Sequence, residues 1–204
     1  MNTLLQPQPG DFACVPMGGD EGIAVSLAER LAGAGRSAEY GHAFVYMGEL
    51  DIRPGSAWLH GSGGRGCYVI EAAPGGAHWR SLGDDPLARY GDSGLWSTGA
   101  LVLADAQRTA VSNAAIMALG TPYSWLDYAW LAAHHLHIPV PGLRASIAAS
   151  GSMICSQYVD WCYQSAGIHL FAGGRWTGDV MPSDLAALIV QWRHPSKPGG
   201  SWLS

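Results

Sequence analysis

Charge is scarce in this sequence. Only 13% of the 204 residues are Asp, Glu, Lys or Arg, and the 11 Lys and Arg nowhere gather into a patch. With a formal net charge of -5, the chain has no electrostatic basis for gripping nucleic acid, and substrates that need a basic groove are excluded. Cysteine is also sparse: four residues, at 14, 67, 155 and 162, with no C-x-x-C spacing. On one helix Cys155 and Cys162 stand two turns apart, too far for a disulfide, which leaves a Cys14–Cys67 bridge as the open pairing. No uninterrupted apolar run reaches the roughly 18 residues that span a membrane. The segment from Met1 to Pro7 lacks a basic stretch followed by an apolar one, so no secretory signal is expected. The expected address is cytoplasmic as synthesised, with release by a lysis or phage-derived route needed to reach anything outside.

A Pro/Ser-rich linker and runs of like charge are missing too, and 48% of the residues are hydrophobic. That pattern predicts a single domain over 1–204, with its core over about 9–192 and a loose tail from about 195. Short strands are expected within Pro9–Pro16, over Gly41–Met47, Cys67–Ala73 and Ala77–Leu82, and over Ala100–Leu103. The glycine-rich stretch 48–66 is expected as a long loop or loose hairpin. Helices are expected over 21–33, where Ile23, Leu27 and Leu31 recur every four residues, then over Ala106–Leu119, Trp125–His137, Met153–Ala166 and after Pro182. Pro122 is read as a helix-entry proline. Hairpin-joined strands followed by helices give an α+β fold with a small antiparallel sheet.

The stretch Gly151 to Cys162 is the one that asks for chemistry. Small residues feed a helix, and Cys155 falls in its first turn, where free N–H groups and the positive end of the helix dipole favour a thiolate. Cys155, Val159, Cys162 and Ala166 share one helix face at i, i+4, i+7 and i+11, so the same thiol also reads as ordinary core. A nucleophilic cysteine requires an imidazole in reach and a polar group to orient it. His42 stands at the entrance of a hydrophobic strand, and Glu71 is a lone carboxylate inside Tyr-Val-Ile-Glu-Ala-Ala; if the two strands pair, Glu71 can accept from the imidazole. Asp51, Asp84 or a backbone carbonyl are alternatives for that role. His134, His135 and His137 lack an acidic or thiol partner one turn on, and no metal or cofactor is expected there.

Five motifs in order carry a resemblance: Gly41-His42-Ala43-Phe44-Val45-Tyr46, Val69-Ile70-Glu71-Ala72, Gly120-Thr121-Pro122-Tyr123-Ser124-Trp125, Ile154-Cys155-Ser156-Gln157-Tyr158-Val159 and Met181-Pro182-Ser183-Asp184-Leu185. Together, over about Pro9–Leu188, they resemble the circularly permuted NlpC/P60 hydrolases, a papain-like group in which the histidine strand precedes the cysteine helix. The resemblance implies a papain-like sheet packed on helices, including the cysteine helix. It implies Cys155 as nucleophile, His42 as base and Glu71 as the orienting group, with Tyr123 and the Cys155 N–H at the oxyanion. In that arrangement Cys155 is expected at the rim of a cleft while Val159, Cys162 and Ala166 pack inside. The implied activity is cleavage of amide or peptide bonds, foremost in cell-wall-type peptides, without a cofactor. A lipid-directed acyl hydrolase or acyltransferase, as in the LRAT-like branch, and a non-catalytic binding module on the same fold are the alternatives. The chain departs from the pattern at Gln157, where permuted relatives often carry an acidic residue, and in the length of 124–150.

Overall fold

The computed structural model describes residues 5–17, 39–124 and 142–194. The helices expected over 21–33 and 125–137, the histidines at 134, 135 and 137, and the tail from 195 lie outside the described residues. The described chain is α+β, built on a six-stranded sheet. Its strands are β1 (Phe12–Val15), β2 (His42–Ile52), β3 (Leu59–His60), β4 (Gly64–Ala73), β5 (Gly76–Gly83) and β6 (Leu95–Trp96). Their order across the sheet is β3-β5-β4-β2-β1-β6, and every neighbouring pair is antiparallel except β3 with β5.

One of the expected strands changes. Of the two forms expected for the glycine-rich stretch 48–66, a long loop or a loose hairpin, the hairpin is found: β2 runs on to Ile52 and pairs there with Gly64. The strand expected over Ala100–Leu103 is absent, because the N–H groups of Ala100 and Leu101 both close a turn on the Ser97 carbonyl. Its place is taken by Leu95–Trp96, whose Trp96 pairs with Ala13.

Residues alternate between the two faces of the sheet, and the register decides which go where. Phe12, Cys14, Ala43, Val45, Ile70, Ala72 and Ala77 fall on the face covered by helices. These are α2 (Asp105–Met117), α4 (Cys155–Ser165) and α5 (Pro182–Arg193), which contribute Val111, Ala115, Tyr158, Val159, Cys162, Leu185 and Ile189 to one buried cluster. Tyr158 and Tyr163 are fully buried, and their hydroxyls donate to the Ala115 and Gly10 carbonyls at 2.6 Å each, so neither polar tip is left unsatisfied. The opposite face carries a smaller cluster of Ala13, Val15, Phe44, Tyr46, Val69, Leu82 and Trp96. It is covered in part by Leu87 and Tyr90 of a short helix, α1 (Pro86–Tyr90). A further helix, α3 (Leu143–Ser150), precedes the cysteine helix. None of the four cysteines is in a disulfide, and Cys14 and Cys67 belong to clusters on opposite faces, so the open pairing is ruled out.

Residues 120–124 form a strap, and the helix that Pro122 is expected to open lies outside the described residues. The Gly120 N–H donates to the Ala77 carbonyl at 2.8 Å, and the Ala77 N–H donates back to Thr121 at 2.9 Å. Further along, Tyr123 bridges Met153 in parallel, and the Met153 N–H donates to Pro122 at 3.0 Å. The strap thus ties the start of β5 to the entrance of α4. Gly76 makes this close approach feasible: it sits at φ +100, and a Cβ there would stand 2.9 Å from the Thr121 carbonyl oxygen. Replacing Gly76 by Ala is expected to cost about 1–3 kcal/mol of stability, read from urea denaturation midpoints. An unchanged midpoint would show that the strap is not held against β5.

Candidate functional site

The register of β2, β4 and β5 gathers four polar side chains on the face away from the helices. His42 stands opposite Val15, and Phe44, two residues on, belongs to that face's cluster, while Glu71 is directly opposite His78 and Val69 opposite Arg80. Alternation therefore gives His42, Glu71, His78 and Arg80 one common side. Glu71 is at the centre. The His42 Nε2–H donates to its Oε2 at 2.7 Å. Arg80 donates from Nε to Oε1 at 2.6 Å and from Nη2 to Oε2 at 2.7 Å, a two-pronged grip on both carboxylate oxygens. His78 Nε2 lies 3.3 Å from Oε1, while its Nδ1–H donates to the Gly76 carbonyl at 2.8 Å.

A carboxylate whose side chain is 5% exposed loses water, which on its own raises its pKa. Here the bonds from His42 and His78 and the positive charge of Arg80 overcome that burial and hold Glu71 well below the usual carboxylate range. Burial likewise pulls His42 down, but the Cys155 thiol and then Glu71 outweigh it, and the imidazole is pushed up to about 10. Cys155 acts on His42 by charge and by hydrogen bonding, so the thiol lies against the ring. Since Nε2 is occupied by Glu71, Nδ1 is the ring nitrogen left for exchange with the thiol; it is buried and has no geometrically regular partner among the described residues.

Cys155 is the first residue of α4, as the loop-to-helix pattern predicts. Ile154 precedes it with extended backbone. Gln157 makes both sides of the local closure: its Oε1 accepts from the Ile154 N–H at 3.0 Å, and its Nε2 donates to the Gly178 carbonyl at 3.0 Å. The Ser156 hydroxyl donates to the Val180 carbonyl at 2.7 Å. A glutamine serves here where an acid would not, because one end must donate and the other accept. Gly167, at φ +76, follows the helix as expected.

The sequence places Cys155 at a rim, and the structure corrects this. Cys155 has no exposed surface, and every residue from Cys155 to Asp160 is buried, because the first turn is enclosed by 178–180 as well as resting on the sheet. Cys162, deeper on the same helix face, is also buried, and burial pushes its thiol up. Tyr123 is half-buried beside Met153, two residues before Cys155. The predicted residues Cys155, His42 and Glu71 are thus brought together, with Tyr123 held at the entrance of the cysteine helix. Asp51 and Asp84 do not take the orienting role, which falls to Glu71.

His78 and Arg80 were missed from sequence. The signal was the alternation Ala77-His78-Trp79-Arg80-Ser81, which puts two basic side chains on one face of β5, but only the register shows that Glu71 is opposite. Comparison with family models, with curated proteins and with solved structures finds no match.

These shifts fix how stability depends on pH. His42 goes from an ordinary 6.5 to about 10, so its contribution is complete below pH 6.5 and is lost as pH rises through 10. Glu71 is lowered from an ordinary 4.5, so its contribution is complete above that and is lost as pH falls through its depressed value. Unfolding free energy is expected to sag between neutral pH and pH 10. Glu71→Gln should lower stability at pH 7 by about 3 kcal/mol, since it strips Arg80 and His42 of their common partner, and should flatten the sag. Urea titrations across this range check it, and parallel curves for the two proteins would contradict it.

Proposed function

We propose that this protein is a cysteine-dependent amide or peptide hydrolase of the circularly permuted NlpC/P60, papain-like kind, working through an acyl-enzyme on cell-wall-type peptides. The observation that carries the reading is the line Cys155, His42, Glu71: a thiol at a helix N-terminus against an imidazole whose far nitrogen is held by a carboxylate. The order of the five motifs along the chain supplies the substrate class.

In this reading the Cys155 proton passes to His42 Nδ1, and the sulfur attacks the substrate carbonyl carbon. The C=O electron pair moves onto oxygen, where N–H groups of the first turn of α4 receive it, with Tyr123 alongside. The tetrahedral species collapses as the C–N bond breaks and imidazolium His42 gives its proton to the departing amine. Water then attacks the thioester while His42 takes its proton, and Cys155 leaves as the second product, an acid, forms. Glu71 fixes the ring so that Nδ1 serves each transfer, and stabilises the imidazolium each time it forms.

Burial of Cys155 sets a condition on this cycle. Substrate reaches the sulfur only when the enclosure of the first turn opens, so access precedes chemistry. The same burial favours a second reading, a non-catalytic binding module in which Cys155 is packing alone. Alkylation with iodoacetamide, located by peptide mass mapping, separates the two. The hydrolase reading expects Cys155 to be modified in preference to Cys162. It also expects a rate that levels off at high reagent concentration, where opening becomes limiting, and a loss of about 10-fold or more in His42→Ala. Equal reaction of Cys155 and Cys162, with no effect of His42→Ala, would sink it.

Substrate class is tested by incubating the protein and Cys155→Ala with purified peptidoglycan, with short peptides containing D-amino acids and with acyl lipids. New amines from the first two, absent in the variant, are expected. Release of acyl groups from lipids alone would replace the peptide assignment by an acyl hydrolase.

A further inference from the structure

Arg80 is the largest polar group at the site that the proposed chemistry does not use. Its guanidinium takes both oxygens of Glu71, donates from Nη1 to the Tyr90 hydroxyl at 3.2 Å, and lies 5.6 Å from the Phe44 ring centre and 5.8 Å from that of Tyr90. A side chain fixed by a fork, a hydroxyl and two rings has little freedom left, and it is only 20% exposed. Without the fork, Glu71 would be held by His42 at Oε2 and, at the longer distance of 3.3 Å, by His78 at Oε1, a looser grip on the carboxylate plane. Held by the fork, its plane is fixed, and the Oε2 lone pair that meets His42 has one direction. We propose that Arg80 is the positioning residue of this site, orienting Glu71 toward His42 and offsetting part of the carboxylate's charge.

An unopposed buried carboxylate 2.7 Å from an imidazole favours imidazolium strongly. A permanent positive charge on the far side of the carboxylate weakens that hold. The groups that set the balance are His42 on β2, Glu71 on β4, His78 and Arg80 on β5, and Cys155 on α4. Behind them are Tyr90 on α1, which bonds Arg80, and His60 on β3, whose ring stacks on His78 at 3.6 Å. Arg89 lies over the Tyr90 ring and adds a second positive charge at that end. Arg80 alone among these touches both carboxylate oxygens.

The inference rests on the hydrolase reading for its use in turnover, but its test does not. In protein labelled at histidine, the His42 ring is titrated by NMR in wild type, Arg80→Gln and Arg80→Lys. Removing the charge is expected to move the His42 midpoint up by about one pH unit in Arg80→Gln, whereas Arg80→Lys, which keeps a charge but lacks the fork, should stay near wild type. Arg80→Lys should instead lower the rate of Cys155 alkylation by about 10-fold, because the carboxylate plane is no longer fixed. A purely structural Arg80 would lower stability in both variants and leave the His42 midpoint and the alkylation rate where they were; that result overturns the proposal. If Arg80→Gln does not fold, the alkylation rate of Arg80→Lys decides, and a wild-type rate counts against the fork. If Cys155 does not react in wild type either, the hydrolase reading fails, and the His42 midpoints still decide whether Arg80 sets its charge.

Discussion

A carboxylate buried on a sheet face is the constraint that the rest of the site answers. Glu71 sits between hydrophobic neighbours on a central strand, where an uncompensated charge would cost several kcal/mol. The fold meets that cost with donors drawn from both adjacent strands: His42 from β2, and His78 and Arg80 from β5. Each partner must then keep its position, so the antiparallel register of three strands is bound to one side chain. A slip of one residue in β5 would send His78 and Arg80 to the helix face and leave Glu71 with His42 as its one charged partner beside Phe44 and Val69.

The two faces of the sheet divide the work. Ala43, Val45, Ile70 and Ala72 give the helices a smooth apolar floor, on which α4 rests through Tyr158, Val159 and Cys162. The charged group occupies the other face and meets the cysteine helix at the end of β2, where His42 is the first residue of its strand. Two further ties bring the helix start to that place. The strap 120–124 joins it to β5 through Met153, and Gln157 and Ser156 join it to 178–180. The result is an enclosed first turn, with a thiol that has no surface of its own.

Much of this was legible in the residues. A histidine at the mouth of an apolar strand and a carboxylate inside another one are costly in a core, and that cost marks both in the sequence without any knowledge of register. The helix bearing Cys155 was equally plain from its small-residue approach and its i, i+4, i+7 face. What could not be read was pairing. The hairpin over 48–66 is rich in glycine, which masks strand propensity, and only its partner strand shows that β2 continues to Ile52. His78 and Arg80 were hidden for the same reason, since alternation names the face of a side chain but not what stands across from it. The burial of Cys155 is not legible in the sequence, because the segment that closes over α4, residues 178–180, acts through backbone carbonyls, and carbonyls leave no mark there.

The claim at the centre of this account is that Cys155, His42 and Glu71 form one electrostatic unit rather than three separately buried groups. Its most direct test is the His42 titration in wild type and in Cys155→Ala, followed by NMR on folded protein. Loss of the thiol should bring the His42 midpoint down from about 10, because the largest influence raising it has been removed while Glu71 remains. A His42 midpoint that is the same in both proteins would show that the thiol and the imidazole are not coupled, and would contradict the account.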